Sequence, residues 1–145
     1  MEELIKLLDE NLHYDGYEIQ GDELFIYVRA KRREAICPYC GKPSRQIHSC
    51  RTRTLKDLPV QGKKVKILLA QKKYFCKNAA CARRTFAERF DFFEPQATKT
   101  KRLQTEILRV ALTQSSVAAS RYLRSSVAEV GKSTICNLLK KEREK

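Results

Sequence analysis

No run of more than a few apolar residues occurs in the 145-residue chain, so a membrane helix of about 20 residues cannot be drawn. The opening Met1-Glu2-Glu3-Leu4 lacks the basic residues and apolar stretch of a secretory signal. The chain is therefore expected to be made and kept in the cytoplasm. Histidine is confined to His13 and His48, and neither sits in a motif that would activate a cysteine, which argues against a cysteine protease. Internal repeats and low-complexity tracts are absent. Acidic residues are scarce beyond residue 28: nine acids stand against 29 bases there. They are scattered, so a catalytic carboxylate cluster is not expected.

Base is what the chain has in excess. The net charge is +13, and it is unevenly spread. Residues 1–28 hold eight acids and one base, Lys6. A surface as basic as the remainder attracts polyanions through counterion release. Six cysteines in a cytosolic chain point to metal rather than disulfides. A domain this short buries a thin core, which a structural metal supplements.

The periodicity predicts a helix over residues 2–12, with Leu4, Leu8 and Leu12 on one face. Gly16 and Gly21-Asp22 punctuate a β-hairpin formed by residues 17–20 and 24–30. A long strand alternates from Lys63 to Phe75 after the Gln61-Gly62 turn, and Thr85-Phe86-Ala87 reads as a short last strand. Glu94-Pro95 breaks the pattern. Helical periods follow over about 99–113 (stripe Leu103, Ile107, Val110, Ala111), 117–124 (capped by Ser115-Ser116), and 132–141 (stripe Ile135, Leu138, Leu139). The expected fold class is α+β: an N-terminal helix and β-hairpin, a zinc ribbon with antiparallel strands, then a three-helix helix-turn-helix module. Expected boundaries are 1–35, 36–94 and 95–145.

Cys37-x-x-Cys40 and Cys76-x-x-x-x-Cys81 form two pairs separated by a strand-bearing insert. Tetrahedral zinc takes four soft ligands at about 2.3 Å, and a pair on a tight turn supplies two together. Gly41 after Cys40 suits such a turn. Cys37, Cys40, Cys76 and Cys81 are the expected ligands of one structural zinc, with no open position for catalysis. His48 or Cys50 is an alternative to one of the second pair. Cys136, between Ile135 and Leu138, is expected to be a small core residue.

Arg51, Arg53 and Lys56 in the insert, Lys63, Lys64, Lys66, Lys72 and Lys73 along the long strand, and Arg83 and Arg84 after the last cysteine read as a phosphate track. In the third C-terminal helix Lys132, Ser133, Thr134 and Asn137, followed by Lys140 and Lys141, are the residues expected to meet DNA.

The ordered string Cys37-Pro-Tyr-Cys-Gly41, His48-Ser49, Arg53-Thr-Leu-Lys-Asp-Leu-Pro59 and Tyr74-Phe-Cys76-Lys-Asn-Ala-Ala-Cys81-Ala-Arg-Arg-Thr-Phe-Ala-Glu88 resembles the N-terminal zinc finger of ISL-three-type insertion-sequence transposases. The tail from Val117 to Lys141 resembles the helix-turn-helix that follows it, so the likeness spans about residues 35–141. Cys50 and Gly131 depart from the pattern. The resemblance implies zinc at Cys37, Cys40, Cys76 and Cys81 and binding to the terminal inverted repeats of a mobile element. Such transposases continue into a DDE domain whose carboxylates hold divalent metals for strand transfer. This chain is accordingly expected to be a DNA-binding portion and not an enzyme by itself. Its partner would be double-stranded DNA, with a second copy of the chain as a candidate, no membrane and no small-molecule substrate. When bound it would be nucleoid-associated. The alternative is a zinc-ribbon adaptor for RNA or a protein.

Overall fold

A computed structural model describes residues 2–113, 116–126 and 132–143. The chain runs α1 (Glu2–Leu8), β1 (Leu12–Gln20), β2 (Glu23–Ala30), β3 (Ala35–Ile36), β4 (Pro43–Ser44), β5 (Ile47–Val60), β6 (Lys63–Phe75), β7 (Thr85–Ala87), α2 (Lys101–Thr113), α3 (Ser116–Ser126) and α4 (Lys132–Arg143). The first helix stops short of its expected end, and Leu12 opens β1 instead, fully buried.

Strand order is β1-β2-β6-β5, with β7 also on β6. β5 and β6 form a long hairpin across Gln61-Gly62, both at positive φ (48° and 78°). Two consecutive left-handed residues match the twist of the strands they join, and glycine takes that conformation freely. β2 lies parallel to β6, Glu23 opposite Lys64 through Arg29 opposite Ala70. β7 takes over the same edge of β6 antiparallel, from Lys73 to Phe75.

Alternation puts Leu24, Ile26 and Val28 of β2, Val65, Ile67 and Leu69 of β6 and Leu55 of β5 on one face. That face forms the main core with Ile5, Leu12, Phe90, Phe92 and Phe93. The three phenylalanines pack on one another with centroids 4.9–5.8 Å apart, within the range of favourable ring geometries.

The helical end joins the sheet through one buried carboxylate. Asp57 on β5 is 2% exposed and accepts hydrogen bonds from Thr100 Oγ1 (2.7 Å) and Arg102 Nε (2.8 Å), with Arg102 Nη2 on its other oxygen. Thr100, wholly buried, caps α2 by accepting from the Leu103 N–H at 3.3 Å. Lys56 donates its N–H to Thr98 O (2.9 Å) and accepts from Thr100 N (3.0 Å), so residues 98–100 run along the outer edge of β5.

This arrangement corrects the expected fold class. The protein is mixed α/β, with a five-stranded mixed sheet and short helices, and no three-helix helix-turn-helix module stands among the described residues. Leu103, Ile107, Val110, Ala111, Leu123 and Ile135 do bury together, but Leu58 of the β5 end packs into the same cluster and Asp57 holds the start of α2. A 3.6-residue period shows which face of a helix is buried, not what covers it. Residues 127–131, where the recognition turn and Gly131 were expected, lie outside the described residues, as does Ser115. The strand pairings within residues 36–94 are all antiparallel as expected; the parallel contact comes from β2 of the N-terminal hairpin.

Asp57→Ala should lower stability by about 2 kcal/mol, from lost charge-assisted hydrogen bonds and a disabled cap. Urea unfolding of both proteins gives the difference, and the loss should exceed that of Glu106→Ala, whose surface pair with Arg109 on α2 contributes little.

Candidate metal centre

Two short turns carry the four cysteines. β3 and β4 pair over two residues each, Ala35 opposite Ser44 and Ile36 opposite Pro43. The turn between them is closed by Gly41 N–H on Cys37 O (2.8 Å) and Cys37 N–H on Lys42 O (3.0 Å), with Gly41 at φ 78°. This left-handed residue lets the chain double back directly after Cys40. The second turn begins where β6 ends. Cys76 N–H donates to Arg84 O (2.7 Å), which sets β7 alongside, and Cys81 N–H donates to Asn78 O (3.0 Å). Asn78 Oδ1 accepts from Ala80 N–H at 3.1 Å, a side-chain turn of the kind asparagine favours.

The sulfurs of Cys37, Cys40, Cys76 and Cys81 all lie within 4.8 Å of one another. Cys37 and Cys81 are 3.9 Å apart, Cys40 and Cys76 3.6 Å. Four ligands at about 2.3 Å in a tetrahedron stand about 3.8 Å apart, so the cluster has the dimensions of one zinc site. Cys37 is fully buried and the other three partly so. Beneath them lie Ala35, Tyr74 and Phe86, the two rings stacked at 5.8 Å. Cys40 and Cys76 are shifted in opposite directions. The Lys42 backbone N–H holds Cys40 down to about 6. Cys76 is drawn down by the Asn78 backbone, but desolvation and the neighbouring thiols push it up to about 12. A dication favours the thiolate at every position.

Neither alternative ligand joins the cluster. His48 sits on β5 with its ring edge against Phe75 (4.9 Å) and Nδ1 3.0 Å from Ser49 Oγ. Cys50, also on β5, is exposed. Cys136 is exposed on α4, not a core residue; the cysteine at that step of the helix turns away from the Ile135 stripe.

The expected DNA-contacting residues are distributed unequally. Arg51, Arg83 and Arg84 are exposed, and Lys56 is half-buried. Arg83 covers the Tyr39 ring at 4.8 Å. Arg53 is engaged inside the fold: its Nη atoms donate to Pro95 O (2.9 Å) and Ala97 O (2.8 Å), and its guanidinium lies over Phe93 at 5.3 Å. Desolvation lowers its pKa, with help from Arg51. On α4, Thr134 is half-buried and Asn137 and Lys140 are exposed, while the side chains of Lys132, Ser133 and Lys141 lie outside the described residues. Lys73, expected in the phosphate track, stands near Arg51 around one pocket, and so does Arg89, which sequence reasoning missed. Alternation puts Lys73 on the same face of β6 as Ile67 and Leu69; Arg89 carried no periodic signal.

A pair of cysteine turns at strand ends around one four-sulfur cluster is a zinc ribbon. Residues 33–81 match the family model of the zinc-finger of transposase IS204/IS1001/IS1096/IS1165. That span contains both cysteine pairs, so this part of the chain is similar to a transposase-type zinc finger, and its cluster is consistent with one structural zinc ion. No curated protein and no solved structure matches the chain. No described helix is long and apolar enough to cross a membrane.

Purified protein should contain one zinc per chain by elemental analysis. Cys37→Ser should lose it and melt the ribbon, because metal binding and folding are coupled, while His48→Ala should keep it. Zinc requires thiolates and displaces their protons, so affinity should fall as pH is lowered from 8 to 6. Competition with a chromophoric chelator at the two pH values measures this.

Proposed function

We propose that this chain is the zinc-dependent DNA-binding portion of a transposase and recognises the terminal inverted repeats of an insertion sequence. The observation that carries the reading is the match of residues 33–81 to a transposase zinc finger whose four cysteines stand together as one metal site. The zinc ribbon binds and does not catalyse, and the role assigned to this chain is recognition rather than strand transfer.

Charge supports the same reading. The excess of base lies beyond residue 28. Arg51, Arg83 and Arg84 project from the ribbon, where a polyanion can be met without breaking the fold. Lys56 and Arg53 flank them; Arg53 positions residues 95–97 as well. Lys132, Ser133, Thr134, Asn137, Lys140 and Lys141 on α4 complete the proposed contact set. Phosphate contacts fix position and base-edge contacts supply sequence. Inverted repeats come in pairs, so pairing of two copies of the chain belongs to this reading. So does a cytoplasmic, nucleoid-associated location.

The test is binding of the zinc-loaded protein to a duplex taken from the ends of the element. If about six phosphates are neutralised, affinity should fall about 10³-fold between roughly 50 and 200 mM salt. A scrambled duplex should bind more weakly at the same salt, and an RNA hairpin should compete poorly. Equal affinity for both duplexes would remove sequence recognition; preference for RNA would favour the adaptor alternative.

A further inference from the structure

The face of β5 and β6 that buries Leu55, Ile67 and Leu69 does not end with them. Alternation carries Arg53, Arg51 and Ser49 onto the same face of β5, and Gln71 and Lys73 onto that of β6. Here the sheet is no longer sealed by the apolar core. A pocket of about 350 Å³ opens instead, walled on one side by Pro38 and Tyr39 of the first cysteine turn and on the other by residues 87–90, Phe93, Pro95 and Gln96. That volume is within the usual range of ligand pockets, about 300–1,000 Å³.

The charges around it do not balance. Arg51, Lys73 and Arg89 line the pocket, and no described carboxylate pairs with any of them. Glu88, the one acid in the lining, is already committed: it is 1% exposed, accepts from Lys72 N–H at 2.9 Å and faces Arg32 at 3.7 Å. Arg89 is exposed and lies 6.0 Å from the Tyr39 ring centre, at the outer limit of a cation–π contact. Ser49 adds a hydroxyl at the rim. Crowded cations that the fold leaves without counter-charge form an anion site.

We infer that this pocket, between the first cysteine turn and the β5–β6 hairpin, seats a phosphate group of bound nucleic acid, held by Arg51, Lys73 and Arg89. The inference rests on the DNA-binding reading and assigns it a place: the phosphate lies against the metal centre's first turn, on the core-side face of the hairpin. Loss of zinc, which frees Pro38 and Tyr39, removes one wall of the site.

Two measurements on the full chain decide it. The double variant Arg51→Gln/Lys73→Gln should bind duplex about tenfold more weakly at moderate salt and lower the slope of log affinity against log salt by about one. Lys6→Gln/Lys31→Gln removes the same charge outside the pocket and should change neither; zinc content and circular dichroism check that both variants fold. Separately, inorganic phosphate titrated into the wild-type protein should shift the backbone amide signals of Arg51, Lys73 and Arg89, and the double variant should not respond. If duplex binds and the two double variants lose affinity alike, the pocket assignment is overturned and the DNA reading stands. If duplex fails to bind but phosphate shifts those amides, the anion site stands and its nucleic-acid occupant is overturned. If phosphate shifts nothing and the variants are alike, the pocket is not an anion site. Duplexes with and without 5′-phosphates tell an end phosphate from a backbone one, and either supports the site.

Discussion

Strand β6 pairs with β5 along one edge from Lys63 to Tyr74, and along the other with β2 and then β7. Its next residue, Cys76, is a member of the sulfur cluster. The N-terminal hairpin, the long β5–β6 hairpin and the second cysteine turn therefore share one register. Side chains alternate with period two, so a slip of one residue would move Ile67 and Leu69 out of the core. It would also carry Cys76 away from Cys40. Burial at one end of β6 and ligand geometry at the other act on the same backbone.

Two buried acids mark where the rest of the chain is fastened to that sheet. Asp57 is matched by a hydroxyl and a guanidinium, and Arg102 is drawn to its charged form chiefly by the hydrogen bond to Asp57. Glu88 is less completely satisfied: Oε1 takes the Lys72 N–H, but Oε2 and Arg32 Nε lack hydrogen-bond partners and face each other at 3.7 Å. Desolvation raises its pKa against the pull of that backbone bond and the nearby cations. An incompletely solvated buried ion pair contributes specificity more readily than net stability. Arg32 also donates to Arg89 O at 2.6 Å and lies over Phe90. It thus fixes where residues 88–90 run beside the pocket.

What the sequence made legible follows what local pattern encodes. The cysteine spacing, the alternation of β6 and the turn at Gln61-Gly62 each depend on a few adjacent residues, and all three are present as read. β5 was not legible because Ile47 to Thr54 is almost wholly exposed, so no apolar alternation marks it; only the β-branched Thr52 and Thr54 hinted at a strand. Parallel pairing of β2 was beyond reach, since alternation looks the same whichever way a neighbour runs. Phe90, Phe92 and Phe93 did carry a signal, three large aromatics within four residues, and they close the core. At the site, residue type identified cations but could not separate Arg51, which is exposed, from Arg53, which hydrogen bonds to two carbonyls.

The parallel contact between β2 and β6 has a bearing on how the chain assembles. Parallel neighbours require a long crossover, and here it is residues 31–62, which include β3, β4, the first cysteine turn and β5. The β1–β2 and β5–β6 hairpins each form from contacts close in sequence. Joining them closes a loop of some 30 residues, an entropic barrier that slows folding. The sulfur cluster spans the same region, bringing Cys37 beside Cys81 across 44 positions. Metal capture shortens the loop that the two hairpins must close, so zinc supply can set the rate at which the sheet completes as well as the stability of the result.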